Sequence, residues 1–405
     1  MNFQPDSPIH TFHPPQRILM GPGPSDMHPR VLSALSRAPI GYLDAVFIGF
    51  MDQLKALLRF AFQTANEATF PVSGPGSAAM EMCLVNLVSP GDKVVVGRNG
   101  FFGGRMVEIV LRCGGVPVVV EDRWGEPVDP QKVEDALRKN PDARIVAFVH
   151  AETSTGVMSD AQTLAALARG RDCFTIVDAV TSLGGAPLKV DEWGIDACYS
   201  AAQKCLSGPP GLAPVTFSER AVARVRERRE KVRSWFMDLG PLLAYWGGAT
   251  RTYHHTPPAN GFCALHEALL MLQEEGLENS WDRHSRNYRA LQAGLDALGF
   301  RFLVDGRHQL PQITSVLVPE GVDDREVRRR LFADYGLEIG AGLGDLAGRL
   351  WRFGIMGHSS RRENVMLCLT ALETVLSDVG VKVEFGAAEA AAYRAYAARP
   401  AGQAA

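Results

Sequence analysis

Apolar positions along the chain follow two rhythms. Between about residues 70 and 218, short runs with little polar alternation recur: "KVVVG" (93–97), "VPVVVE" (116–121), "RIVAFVH" (144–150), "FTIVDAV" (174–180), "ACYSAA" (197–202) and "APVTFS" (213–218). Stretches with helical period, such as "DPQKVEDALRKN" and "DAQTLAALARGR", separate most of them. β-branched runs this apolar, alternating with helices, predict an α/β fold with a mostly parallel sheet covered on both faces. Ahead of them, "HPRVLSALS" predicts a helix with proline near its start. After residue 260 the rhythm lengthens into "GFCALHEALLMLQEEGLENSWDRHSRNYRALQAGLDALG", then "QITSVLVP", "REVRRRLFADYG", "GRLWRFGIMG" and "SRRENVMLCLTALETVLSDV", an α+β texture. Ser360 and Glu363 predict a capping box at the start of that last helix. The expected organisation is an arm over residues 1–20, a large domain over 21–275, a smaller α+β domain over 276–380 and an Ala-rich frayed helix and tail over 381–405.

Composition narrows the classes. The chain has 405 residues, 46% apolar and 21% charged, in the range of a soluble globular protein. A net charge of -3 gives no bulk electrostatic reason to bind nucleic acid or an anionic membrane. The basic run "RAVARVRERREKVR" (220–233) reads as a solvated helix face. No apolar stretch reaches membrane-spanning length, and "MNFQPDSPIHTFHPPQR" has no apolar core of a secretory signal. The seven cysteines lack CxxC spacing and read as reduced core thiols of a cytoplasmic protein. Cys205, beside a lysine, reads as a packing residue. His254 and His255 are adjacent, so in extended backbone they point apart and make a poor metal pair.

The candidate chemistry begins with Lys204, set among small residues in "YSAAQKCLSGPPG" between two apolar runs. A buried ammonium is costly unless it is paired or neutralised, so the amine either leaves the turn for water or is wanted inside. "SGPGS" (73–77) enters an apolar helix. Such a loop serves as a plain N-cap turn or as a phosphate cradle, since first-turn N–H groups and the positive helix end converge there. Asp178 ends a strand, at the sheet edge where ligands gather, and reads either as a cap for the next segment or as a partner for a cationic nitrogen. A phosphate loop, an acid at a strand end and a lysine at the next strand end together match what pyridoxal phosphate requires: a Schiff-base amine and an acid that keeps the pyridine nitrogen protonated. Thr153 in "VHAETSTG" offers a hydroxyl to the ring, and Phe101 or Phe102 in "NGFFGGR" offers a stacking face, with core packing as the alternative. Arg352 in "LWRFGIMG" calls for a carboxylate, from an internal salt bridge or from a substrate.

With these motifs in hand, the chain resembles the class V aminotransferases of pyridoxal phosphate fold type I. The likeness is carried over roughly residues 17–380 by "GPGPS", "SGPGS", "ETSTG", "VDAVTSLGG", "AAQK", "YHHT", "GLENSW" and "WRFGIMG". It is closest to the alanine–glyoxylate, serine–pyruvate and serine–glyoxylate enzymes and to the (S)-ureidoglycine–glyoxylate aminotransferases. The resemblance implies a seven-stranded-type sheet between helices, a Schiff-base Lys204, and Asp178 on the pyridine nitrogen. It implies Ser73, Gly74, Pro75, Gly76 and Gln203 near the phosphate, Phe102 and Val180 on the ring faces, and Thr153 beside the ring. Phe102 stands where the family often has tryptophan. Arg352, Gly23, Tyr42 and Tyr253 are implied at the substrate. Tyr253 and Thr256 are implied to reach the partner subunit's phosphate, which makes a homodimer with shared sites; without the resemblance, "YHHT" reads as a surface loop. The ureidoglycine branch resembles this chain with Gln in place of Tyr42 and Asn in place of Tyr253, so the two tyrosines favour a small amino donor, alanine or serine, in a ping-pong exchange with glyoxylate. A cysteine desulfurase or lyase is a further class, but such enzymes usually have His where Gln203 stands, and the late Cys368 lies in a helical pattern. A cofactor-sensing regulator would need a DNA-binding segment, and none precedes residue 20.

Overall fold

The computed structural model describes residues 7, 9–248 and 250–398. Its central sheet has seven strands in the order Ala68–Ser73, Leu212–Phe217, Ala197–Tyr199, Phe174–Asp178, Ala143–Val149, Lys93–Arg98 and Val116–Glu121. All pairings are parallel except the two made by Leu212–Phe217. Residues 200–211, between that strand and Ala197–Tyr199, contain turns and no helix, so the chain returns antiparallel rather than crossing over. Val94, Val95, Val96, Ile145, Val146, Ile176 and Val177 are all buried, as expected for strands covered on both faces. Val116–Glu121 differs because it forms the sheet's edge, and its Val116 and Val119 are exposed.

A second sheet of four strands runs Ile18–Met20, Leu337–Ala341, Leu350–Gly354, Ile313–Leu317. It packs with the helices Leu277–Ala297, Asp324–Tyr335 and Arg362–Asp378 around its own core, which includes Met20, Trp351 and Phe353. The N-terminal arm thus ends as a strand of this sheet, paired parallel to Leu337–Ala341.

Three local expectations are corrected. The helix Arg362–Asp378 has no side-chain cap: its N-cap is Arg361, one residue past Ser360, and the Ser360 hydroxyl accepts from Asn287 Nδ2 at 3.0 Å. The Ala-rich segment is not frayed: Ala387–Ala397 is a docked helix with Ala388 and Ala392 buried, and the Glu373 carboxylate accepts from its Gly386 and Ala388 N–H groups. Small side chains allow that close docking. Residues 399–405 of the expected tail lie outside the described residues. The basic run is more than a solvated face. Arg224 Nε donates to Leu87 O at 2.8 Å, and Arg228 donates to Asn86 O and Val88 O at 2.9 Å each. These arginines cap the carboxyl end of the helix Gly76–Leu87, where cations complement the helix dipole.

Candidate active site

Parallel strands with helical crossovers bring their carboxyl ends to one edge, and the site lies there. Register sets Asp178 between Val149 and Tyr199, and the turn carrying Lys204 follows directly. Pro75, Gly76, Phe102, Thr153, Asp178, Val180, Gln203 and Lys204 line one cavity of about 160 Å³. Segments far apart in sequence therefore meet as expected.

Lys204 faces inward. Its Nζ donates to Pro22 O, and burial, aided by the positive charge of Arg352, lowers its amine from 10.5 to about 8. Gly23 adopts φ +120, and a Cβ there would lie 2.5 Å from Lys204 Nζ, so only glycine passes the lysine at that point. Ser25 holds the lysine turn from the same loop, its hydroxyl donating to Lys204 O at 2.7 Å. The reading of Lys204 as a solvated turn lysine is excluded. Cys205 is buried with its thiol pushed up to about 12 by burial, and its Sγ meets Thr181 O, in keeping with a packing residue.

Asp178 is 3% exposed, and burial raises its carboxyl from 3.8 to about 7. Val180 N and Tyr199 Oη donate to its two oxygens at 2.8 Å each, which partly offsets that burial. Asp178 thus accepts from the backbone two residues on, as a cap would, while also facing the cavity.

The helix Gly76–Leu87 starts at the cavity with Pro75 as N-cap and no side-chain cap, which leaves first-turn N–H groups for a ligand. A Cβ at Gly76 would meet Val180 Cγ2 at 3.1 Å and Ala201 Cβ at 3.2 Å, so glycine keeps this approach open. Gly74 lies behind the helix start, where a Cβ would stand 2.8 Å from Ala78 Cβ. The Ser73 hydroxyl is bound by His255 Nε2 at 2.8 Å. Gln203 Oε1 is buried without a hydrogen-bond partner among the described residues. An uncapped helix end, a buried acid and an amine lowered toward neutral pH fit pyridoxal phosphate.

Arg352 is 5% exposed and donates from Nε to Ala341 O at 2.8 Å and from Nη1 to Thr153 O at 2.9 Å. Among the described residues it forms no ion pair, so the internal salt-bridge reading falls, and burial lowers its guanidinium to about 10. The Thr153 hydroxyl is shared with Thr181 Oγ1 at 2.5 Å.

Tyr42, Tyr253 and Thr256 stand apart from this cavity. Tyr42 packs edge-on against Phe47, while Tyr253 is 52% exposed and bonded to Thr256 Oγ1 at 2.9 Å.

Sequence reasoning missed Tyr199, the donor to Asp178, and Glu152. The Glu152 carboxylate is fully buried and accepts from Phe102 N at 3.2 Å, Gly103 N at 3.4 Å, and Ser154 N and Oγ at 3.0 and 2.5 Å. It thereby caps the helix Phe101–Arg112, which lacks a cap of its own, and fixes the backbone of Phe102. A Cβ on Gly100 would collide with Glu152 Cγ, so the glycine admits that carboxylate.

Comparison with known proteins agrees with this geometry. Residues 42–346 match the family model described as aminotransferase class-V. The chain is 39% identical over 366 residues to an alanine–glyoxylate aminotransferase of Oryctolagus cuniculus, covering 89% of this chain and 93% of that one. It superposes on a ureidoglycine–glyoxylate aminotransferase from Bacillus subtilis with TM-score 0.94 and 38% identity, over 96% of this chain and 100% of that one. An alanine–glyoxylate aminotransferase from Nostoc sp. gives TM-score 0.89 and 43% identity, over 91% and 98%. With a site built for pyridoxal phosphate and matches of this extent, the chain belongs to the class V aminotransferases, which are pyridoxal phosphate enzymes.

Proposed function

We propose that this enzyme moves the amino group of a small amino acid, alanine or serine, to glyoxylate in two half-reactions at one site. The observation that carries the reading is the buried, unpaired Arg352 tied to Thr153, a residue of the cavity wall that holds Lys204 and Asp178. A buried guanidinium without a carboxylate suits the carboxylate shared by amino acids and 2-oxo acids. When bound, pyridoxal phosphate supplies the aldehyde that exchanges amines and the ring that spreads carbanion charge. Lys204 Nζ, with its amine lowered to about 8, would hold the aldehyde and, once the incoming amino group displaces it, would be free to take the proton from the substrate Cα. Asp178 keeps a proton on the ring nitrogen. Phe102 and Val180 confine the ring, and Gly76, Ser73, Gly74, Pro75 and Gln203 form the phosphate end.

We further propose a homodimer in which Tyr42, Tyr253 and Thr256 reach the partner's site. Exposed Ile40, Leu43, Val46, Trp235 and Tyr253 support this, since Trp235 stacks on His254, the adjacent His255 ring lies 6.0 Å from Tyr245, and Tyr245 Oη donates to Tyr42 O, linking these segments. A cytoplasmic location is proposed from the seven unpaired thiols, six of them buried. No described helix is long and apolar enough to cross a membrane.

The second reading is ureidoglycine as donor, favoured by the TM-score of 0.94 to the ureidoglycine–glyoxylate enzyme. Against it, Tyr42 and Tyr253 carry no amide to satisfy a ureido group, and an unpaired buried polar group costs about 1–3 kcal/mol. The desulfurase reading has no support in Cys368, which is fully buried in a helix with its thiol pushed far up by burial. The deciding experiment mixes the holoenzyme with alanine, serine or ureidoglycine, follows the visible spectrum, then adds glyoxylate or pyruvate. Bleaching by alanine or serine and recovery with glyoxylate is expected. Rapid turnover of ureidoglycine with neither amino acid active would establish the second reading.

A further inference from the structure

Arg105 lies one helical turn beyond Phe101 and Phe102 on the helix Phe101–Arg112. Its Nη1 donates to Ser77 Oγ at 2.5 Å, and its guanidinium sits 5.0 Å from the Phe102 ring centroid and 5.2 Å from that of Phe101. Ser77 belongs to the first turn of the helix Gly76–Leu87 and lines the cavity. Nearby arginines are spent on carboxylates, Arg98 on Glu121 and Arg112 on Glu108, whereas Arg105 forms no ion pair among the described residues. Among the described residues, Lys204 is the sole lysine or arginine in the cavity wall, and its amine is committed to the aldehyde. The phosphate end therefore has N–H donors but no cation of its own within the wall.

We propose that Arg105 is a cofactor-binding residue: held on Ser77 and against Phe102, it supplies the positive charge that balances the cofactor's phosphate. This rests on the reading of the Gly76–Leu87 helix end as the phosphate site. The aromatic contacts set the guanidinium's plane, and the Ser77 hydroxyl ties it to the first turn of the phosphate helix. Glutamine at this position keeps a polar, planar end and removes the charge, whereas lysine keeps the charge and loses the fork.

The test strips cofactor from purified holoenzyme and titrates wild type, R105Q and R105K with pyridoxal phosphate and, separately, with pyridoxal, which lacks the phosphate. R105Q is expected to bind pyridoxal phosphate roughly 10- to 100-fold more weakly, the size of one charge-assisted hydrogen bond, with pyridoxal unchanged. R105K is expected to recover most of the loss, and inorganic phosphate to compete with pyridoxal phosphate in wild type more than in R105Q. Equal weakening for both ligands would mean that Arg105 only buttresses Phe102, and would overturn the proposal. Unchanged affinity of R105Q for pyridoxal phosphate would overturn it as well. If wild type itself does not distinguish pyridoxal phosphate from pyridoxal, the phosphate site is misplaced and both readings fail together.

Discussion

Replacing Asp178 by asparagine separates the carboxylate's part in chemistry from its burden on the fold. Burial raises the Asp178 carboxyl from 3.8 to about 7. Between those values the folded, cofactor-free protein keeps a proton that the unfolded chain has released. Stability is therefore highest below the unfolded value, falls as pH rises through the window from 3.8 to about 7, and levels off above it. That span converts to about 4 kcal/mol of stability forgone above pH 7, at about 1.4 kcal/mol per pH unit. Asparagine does not titrate and is nearly isosteric. Its carbonyl oxygen still accepts from Val180 N, and its amide donates to the Tyr199 hydroxyl, which turns to accept. Weaker neutral hydrogen bonds offset part of the gain. Cofactor-free D178N is thus expected to be more stable than wild type by about 1–4 kcal/mol at pH 8, with the difference shrinking toward pH 4. Amino transfer should meanwhile fall by at least about 100-fold, since the ring nitrogen loses its acid partner. Urea unfolding of the two cofactor-free proteins from pH 4 to pH 9 measures the first effect. A D178N protein less stable at pH 8, or a difference independent of pH, refutes the reasoning.

Other perturbations give separate outcomes. K204A should abolish turnover and the visible cofactor band while keeping the far-ultraviolet circular dichroism of wild type. Because Arg352 helps lower the Lys204 amine, R352Q should move the pH midpoint for capture of pyridoxal by the cofactor-free protein upward from about 8, read as absorbance against pH. In steady-state kinetics R352Q should also raise KM for glyoxylate by roughly 10- to 100-fold, through loss of a bidentate charge pair. E152Q should lower stability by about 2 kcal/mol and change the visible circular dichroism of the bound cofactor, because an amide NH2 replaces one of two oxygens that each accept two donors, Phe102 N and Gly103 N on one and Ser154 N and Oγ on the other. The double variant Y42Q/Y253N should raise turnover of ureidoglycine relative to alanine in the half-reaction assay, if these positions read the donor side chain.

Lys204 and Asp178 were legible because each is announced locally. An apolar strand followed by small residues and a lone lysine, and another strand ending in an acid, are patterns of short stretches of sequence, and parallel topology carries both to one edge. Arg352 was legible as a charge inside an apolar strand, although setting the internal salt bridge aside required the finding that no described carboxylate pairs with it. Glu152 and Arg105 were not legible. They stand inside "ETSTG" and "NGFFGGR", but their meaning depends on contacts with segments 28 to 50 positions away, Arg105 with Ser77 and Glu152 with the Phe102 helix.

By itself the sequence determined the alternation of buried strands and helices, the glycines at close approaches and the lysine that turns inward, because periodicity and steric need are properties of short stretches. Tertiary structure alone decided where charges end their search for partners. It placed Arg224 and Arg228 on the far end of the helix Gly76–Leu87, docked the Ala-rich helix onto Glu373, and turned the Ser360 hydroxyl to Asn287. A charged side chain reaches whatever acceptor the fold presents, and that acceptor is chosen by packing between distant segments.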